Sequence, residues 1–187
     1  LLSQIIRLSV DNNLSGLEPL YGLPGSLGGA VWGNAGIPGT EIGNFVRKVV
    51  FFNVSDGVRE ITSDEISFQY RKTSLQDAPD IIMHIVLALQ KGQRDASKER
   101  MKKIDEIRRG KQPMGYTAGS FFKNPSPEKP AGWLIDQVEL KGKRFGDAEI
   151  SSKHANFFMN TGHATASQIL ELAQLAKIKV KEIFSID

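Results

Sequence analysis

The apolar positions of the chain change period as it is read. Val46–Asn53 is a run rich in β-branched and aromatic residues, followed by the turn signal Asp56-Gly57, and predicts a strand. Ile61-Thr62-Ser63-Asp64 leads to a further apolar stretch over Ile66–Tyr70. Ile81–Leu89 is continuous and rich in isoleucine and valine; it predicts a buried strand with His84 in the core. The period then switches. Met101, Ile104 and Ile107 recur at helical spacing within Asp95–Lys111, among seven basic and four acidic residues. This is an amphipathic helix whose charges read as a solvated face, and it marks a candidate domain junction. Beyond it, Met114–Pro130 reads as a loop, Ala131–Val138 as a short helix, and Phe145–Ile150 and Asn156–Asn160 as short strands. Thr165 and Gln168 fit a capping box, and Ile169, Leu172, Ala173, Ala176 and Val180 continue at helical spacing. The first half is thus β-rich and the second mixed.

Composition narrows the chemistry. The 187 residues, 40% hydrophobic and 24% charged, suit one globular domain or two small ones. Lys and Arg number 24 against 21 acidic residues, a net +3 without the concentrated stripe that a nucleic-acid surface requires. The absence of cysteine excludes disulfides, thiolate metal sites and thiol catalysis. His84, His154 and His163 are too dispersed for a HExxH site, and no metal is expected. No run approaches a membrane span and no signal peptide opens the chain, so a cytoplasmic protein without membrane association is the expectation. The chain begins at Leu1 and stops at Asp187 within an apolar–polar pattern, which points to a piece of a longer protein.

Glycine is concentrated: eight of 18 lie between Gly22 and Gly43, a stretch that excludes an ordinary helix or strand. Within it, Pro24-Gly25-Ser26-Leu27-Gly28-Gly29-Ala30 offers backbone N–H groups free of side-chain bulk. Such a loop forms either an anion-binding nest or a set of tight turns. No Gly-Lys-Ser/Thr follows it, so it is not a Walker A loop. Gly119-Ser120-Phe121-Phe122-Lys123-Asn124-Pro125 places a hydroxyl, an ammonium and an amide in one loop, a structural turn or a ligand-binding segment. Tyr70-Arg71 ends a strand candidate; the guanidinium is either a surface ion-pair partner or a carboxylate fork. His154 reads as a partly buried histidine or a ligand contact, and Trp32 and Trp133 as packing residues.

Taken in order, these segments resemble one family. Gly16-Leu-Glu18, Gly22-Leu-Pro-Gly-Ser-Leu-Gly-Gly-Ala30 and Asn34-Ala-Gly36 are similar to the flavin-contacting region of MurB-type UDP-N-acetylenolpyruvoylglucosamine reductases. Phe68-Gln-Tyr-Arg-Lys-Thr-Ser74 resembles the family's FxYRxS motif. Gln112-Pro113 with Ala118-Gly-Ser-Phe-Phe-Lys-Asn-Pro125 resembles its substrate loop. Ala131-Gly-Trp-Leu-Ile135, Leu140-Lys-Gly142, Ser152-Lys-His-Ala-Asn-Phe157 and Asn160-x-Gly-x-Ala-Thr-Ala166 follow in the family's order, so the likeness covers nearly the whole chain.

The resemblance implies an α+β protein. Residues 1–94 would be part of an FAD-binding domain and 95–187 a C-terminal substrate-binding domain. It implies reduction of UDP-N-acetylglucosamine enolpyruvate to UDP-N-acetylmuramate in peptidoglycan precursor synthesis, with NADPH passing a hydride through FAD, by a monomer. On this likeness Ser120 is the proton donor, and Arg71, with an acidic partner, supports the charge that builds toward an enolate. Tyr70, Lys111, Lys123, Asn124 and His154 contact substrate or line its site. Pro24, Gly25, Ser26, Gly28, Gly29 and Asn34 lie along the flavin. Two departures stand out: the family's N-terminal Gly-Ser-Asn segment is missing, and the chain ends about where a Leu-x-x-Glu-Val motif with a further acidic residue would begin. The chain by itself is therefore expected to be inactive. The distance from Tyr70 to Lys111 fits the family's shorter subtype. Two other readings remain: another flavoprotein oxidoreductase of the same FAD-binding architecture, and a nucleotide-sugar binding module without flavin. Ser120 and Lys123-Asn124 argue against the first, and the intact Tyr70-Arg71 pair against the second.

Overall fold

The first element is a helix to which the sequence reading assigned nothing. In α1 (Leu2–Asp11), Leu2, Ile6 and Val10 recur every fourth residue and are fully buried, the stripe that draws a short helix onto a core. The computed structural model describes residues 1–77 and 80–187. The chain divides into two compact units, Leu1–Ile107 and Arg108–Asp187. The division falls inside a helix, later than the 94/95 junction expected from the sequence.

In the first unit, β1 (Leu14–Ser15) pairs antiparallel with β9 (Gln90–Lys91). The glycine-rich stretch holds more regular structure than its composition suggests. Ser26 caps α2 (Leu27–Trp32), its Oγ accepting from the Gly29 amide at 3.0 Å, which offsets the cost of Gly28 and Gly29 in that turn. A tight hairpin follows, β2 (Gly36–Ile37) against β3 (Thr40–Glu41). The main sheet is antiparallel, with β4 (Val46–Asn53) between β5 (Gly57–Thr62) and β8 (Ile81–Leu87). Between them lies a second small hairpin, β6 (Phe68–Gln69) and β7 (Lys72–Thr73).

β8 corrects the sequence reading. As an edge strand it packs Ile82, Ile85 and Leu87 on the core, while Ile81, Met83, His84 and Val86 are exposed. Its apolar run therefore did not mean burial on both faces, and His84 is not a core residue.

The long helix α3 (Arg94–Lys111) appears where its periodicity placed it, with Ser97 and Met101 buried. It is fastened by Glu18, a carboxylate almost wholly out of solvent. Glu18 accepts from Ser97 Oγ (2.6 Å), Arg100 Nη2 (2.5 Å) and the Gly16 amide (2.6 Å). Burial alone would raise the Glu18 pKa, but the hydrogen bonds from Ser97, Arg100 and the backbone outweigh it and hold the group below its ordinary value.

The second unit is built on a four-stranded antiparallel sheet. Its order is β10 (Tyr116–Ser120), β13 (Phe157–Asn160), β12 (Ala148–Ile150), β11 (Arg144–Phe145). β10 lies in the stretch read as a loop. Its sequence has no apolar alternation, and it is a strand because β13 supplies the partner, with a register shift between Thr117 and Ser120. Two helices pack here: α4 (Ala131–Gln137) and α5 (Ala166–Phe184). Leu134, Ile135, Ile150, Phe158, Leu172 and Ala176 form the core. The capping box is present: Gln168 N donates to Thr165 Oγ1 at 3.3 Å, and Thr165 N to Gln168 Oε1 at 3.0 Å. The chain is thus α+β.

Because the Glu18 carboxylate is depressed in the folded state, its stabilisation is present above the unfolded carboxylate pKa and is lost as pH falls through the folded one. Glu18→Gln is expected to lower stability at neutral pH by about 2 kcal/mol. It is also expected to flatten the acid limb of the stability curve. Urea unfolding of both proteins across an acid-to-neutral series reads both effects; parallel curves would show that the carboxylate contributes nothing.

Candidate functional site

Two groups of polar side chains stand out, one in each unit. In the first unit the loop Pro24-Gly25-Ser26 is exposed, and Gly25 adopts φ +112°, a conformation open to glycine and strained for other residues. No heavy atom lies within 4 Å of where a Gly25 side chain would start, so the outer face of this backbone is open. Gly28 and Gly29 follow in the first turn of α2.

Asn34 departs from the expectation. It is fully buried, and its amide is committed to protein partners. Nδ2 donates to Glu41 Oε2 (2.6 Å) and to the Gln69 carbonyl (3.0 Å), and Oδ1 accepts from the Gly43 amide (3.1 Å). Its side chain holds three segments together, with both amide hydrogens used and no surface exposed to solvent.

Arg71 sits in the turn between β6 and β7 at φ +54°. It is half-buried, not a surface ion-pair residue. Its guanidinium donates to the carbonyls of Gly36 (2.5 Å) and Asn34 (3.4 Å) and lies 3.5 Å from Glu41 Oε1. It also stacks 4.9 Å from the Tyr70 ring centroid. Glu41 thus pairs with Arg71, and it also accepts from Asn34. A guanidinium has five N–H donors, and this one meets three acceptors among the described residues.

In the second unit a cleft of about 350 Å³ gathers Ser120, Asn124 and His154. Trp133, Asp136, Lys141, Lys153 and Asn156 also line it. Ser120, the last residue of β10, is exposed. Asn124 Oδ1 accepts from the Ala131 amide at 3.0 Å, which satisfies the first turn of α4. Lys141 pairs with Asp136 at 2.6 Å, and Lys153 Nζ reaches the Arg109 carbonyl at 2.5 Å. Lys123 is exposed and lines a separate apolar groove with Phe122, Leu134 and Ile135. Lys111 ends α3 in solvent. Neither is among the residues of the cleft. Lys141, Lys153 and Asn156 received no site role from the sequence, although all three lie inside motifs that carried the resemblance. Nothing in their spacing groups them; the fold brings Lys141, Lys153 and Asn156 to one cleft with Trp133 and His154. Trp133 is half-exposed at the mouth and contacts Phe184, so it packs on one side only.

His154 is half-buried. Burial pushes its pKa below the ordinary imidazole value, opposed by its own backbone hydrogen bond and reinforced by the positive charge of Lys141.

Among the described residues no group of three or more potential metal ligands exists and no helix is long and apolar enough to cross a membrane.

The fold is α+β, and its polar groups gather at an open glycine loop, a turn-held arginine and a cleft lined by serine, lysine and histidine, the arrangement of a ligand-binding protein. Comparison with known proteins narrows the class. Residues 112–187 match the family described as "UDP-N-acetylenolpyruvoylglucosamine reductase, C-terminal domain". The chain is 39% identical to the UDP-N-acetylenolpyruvoylglucosamine reductase of Syntrophus aciditrophicus over 181 residues, which is 96% of this chain and 57% of that protein. It is 36% identical to the protein of the same name from Caldanaerobacter subterraneus subsp. tengcongensis, over 100% of this chain and 62% of that protein. The crystal structure of UDP-N-acetylenolpyruvylglucosamine reductase (MurB) from Thermus caldophilus superposes with a TM-score of 0.88 at 36% identity, covering 100% of this chain and 67% of that one. The chain belongs to the UDP-N-acetylenolpyruvoylglucosamine reductase family. It spans about three-fifths of the length of the curated relatives it matches.

The lowered pKa of His154 implies that the folded protein keeps this ring neutral where the unfolded chain protonates it. Stability is then full above the unfolded value of about 6.5 and falls as pH drops toward the folded one. An NMR titration of the imidazole resonances is expected to place the His154 midpoint below that of an unstructured histidine; a midpoint at or above it would contradict the assignment. Separately, Asn34→Ala is expected to cost the first unit about 2–4 kcal/mol by leaving Glu41, Gln69 and Gly43 without their partner. Thermal unfolding reads this directly.

Proposed function

We propose that the protein to which this chain belongs reduces the enolpyruvyl ether of a UDP-N-acetylglucosamine to UDP-N-acetylmuramate, using FAD and NADPH, as a cytoplasmic step in peptidoglycan precursor synthesis. The observation that carries the reading is the pairing of a family match over the whole chain with an exposed Ser120 in a lysine-lined cleft. Within it, residues 1–94 belong to the FAD-binding domain and 95–187 to the substrate domain.

The residues present fit a flavin. The exposed Pro24-Gly25-Ser26 backbone has no side chain above Gly25, which lets a flat ring or a pyrophosphate approach closely. Gly28 and Gly29, in the turn of α2 that follows, are assigned to the same cofactor. Asn34, fully buried, acts by bracing the loop. When bound, the flavin supplies the hydride carrier between nicotinamide and substrate.

The remaining chemistry falls to the side chains. Addition to the enolpyruvyl double bond drives negative charge toward the carboxylate. Arg71, already aligned by Gly36, Asn34 and Glu41, offers the rest of its fork to that charge without reorganising. Tyr70 keeps the guanidinium plane in place. Ser120 donates the proton to the adjacent carbon. A serine hydroxyl is a weak acid, so its transfer depends on close positioning and on the basicity of the carbanion-like centre. Asn124 and His154 contribute donors to the UDP portion, and the ammonium groups of Lys111 and Lys123 draw the anionic substrate in.

The test uses a protein of its relatives' full length. It is reduced anaerobically with NADPH, and flavin absorbance is followed as the enolpyruvyl UDP-sugar is added. Rapid reoxidation is expected. Ser120→Ala is expected to slow that reoxidation by about 10²–10⁴-fold while leaving reduction by NADPH unchanged. A protein that reduces but ignores the substrate would keep the flavoprotein and remove the assigned reaction.

A further inference from the structure

We propose that Asn156 is the positioning residue of the second unit's cleft. It holds the peptide that follows Ser120 and fixes His154 as a neutral Nε2–H donor toward a bound nucleoside diphosphate. The nucleotide in this inference rests on the function proposed above; the geometry does not.

Asn156 lies one residue before β13, where the ladder to β10 has run out. Its backbone carbonyl accepts from the Phe121 amide at 2.8 Å. Its side chain then extends the pairing. Oδ1 accepts from the Phe122 amide and Nδ2 donates to the Phe122 carbonyl, both at 2.9 Å. Three hydrogen bonds thus fasten the two residues after Ser120, and Ser120 itself is in register with Phe157. Asn156 is only 2% exposed, so these bonds form out of water, where they are stiff and their loss is costly.

The same residue sets the histidine. The Asn156 backbone amide donates to His154 Nδ1 at 3.3 Å. A ring nitrogen that accepts carries no proton, so the neutral imidazole must bear its hydrogen on Nε2. The ring has little room to turn away. Phe157 meets it edge-on at 4.8 Å between centroids. On the side of Gly132, a Cβ would come within 2.9 Å of Cε1. No side chain among the described residues accepts from Nε2–H, and none of their side-chain polar atoms is both buried and unpartnered. Nε2 therefore reaches solvent on a residue that lines the cleft with Ser120, Asn124, Lys141 and Lys153. The one acid there, Asp136, is paired with Lys141. What remains is a set of donors suited to the oxygens of a diphosphate. A neutral imidazole adds direction to that set without adding charge.

Three measurements test this. Long-range ¹H–¹⁵N NMR of the unmodified protein at mildly alkaline pH is expected to show His154 as a single Nε2–H tautomer. The Nδ1–H form, or an even mixture, overturns the histidine assignment, and no variant needs to fold for that answer. Gly132→Ala introduces a better helix former but pushes on the ring. It is expected to keep the amide spectrum of the parent and to weaken UDP binding by about 10-fold. Unchanged affinity overturns the ring's role, and absence of UDP binding by the parent removes the nucleotide while the tautomer result stands. Asn156→Asp keeps the acceptor for Phe122 N and loses the donor to Phe122 O. In a protein of full family length it is expected to lower kcat by about 10-fold and to raise KM for the UDP-sugar. A fall in apparent kcat matched only by a smaller folded fraction, with KM unchanged, would reduce Asn156 to a structural residue and overturn the proposal.

Discussion

Backbone groups that leave a sheet ladder inside a protein must find other partners, and each unit of this chain meets that constraint with one buried asparagine. In the first unit Asn34 takes the Gln69 carbonyl, the Gly43 amide and Glu41. In the second, Asn156 takes both polar groups of Phe122. An amide side chain suits the task because it carries a donor and an acceptor side by side, as a peptide group does. The strands around these residues are two to five residues long, too short to lock a turn by pairing alone. The asparagines therefore decide where the segments between the strands stand, among them the β6–β7 turn that carries Arg71 and the residues that follow Ser120.

Electrostatics follow from that scaffold. The Arg71 guanidinium is aligned by two carbonyls and by Glu41, and Glu41 is in turn held by Asn34, so the charge is oriented before any ligand arrives. In the second unit the pairing of Lys141 with Asp136, and of Lys153 with a backbone carbonyl, leaves a cleft whose charge balance favours an anion while each ammonium remains tethered. Glu18 shows the opposite use of charge. Nearly enclosed, it accepts three hydrogen bonds and fastens the start of the first unit to α3.

Much of this was legible in the residues. The capping box at Thr165, the periodicity of α3 and α5, and the β4 run with its Asp56-Gly57 turn are local signals, set by spacing along a few turns or a single strand. The ordered motifs around Gly25, Arg71, Ser120 and His154 pointed to the family, since motifs in a fixed order carry information that no one of them holds. The failures share a cause. β10 has no strand pattern of its own and exists because β13 pairs with it. β8 has a fully apolar pattern, yet it lies at a sheet edge with one face on the core. The Asn34 side chain turns inward to satisfy backbone far away in the chain, a commitment that no local pattern carries.

Capping and hydrophobic period thus marked, from the sequence alone, a β-rich first half and the course of the long helices, and the ordered motifs that resemble the family implied an α+β chain and the segments proposed to carry its chemistry. Only the tertiary structure decided which of those side chains share a cleft, that Glu41 is the partner of Arg71, and that Lys141, Lys153 and Asn156 join Ser120 and His154. Those facts depend on hydrogen bonds and contacts between residues far apart in the chain, and such pairings leave no periodic trace in the sequence that makes them.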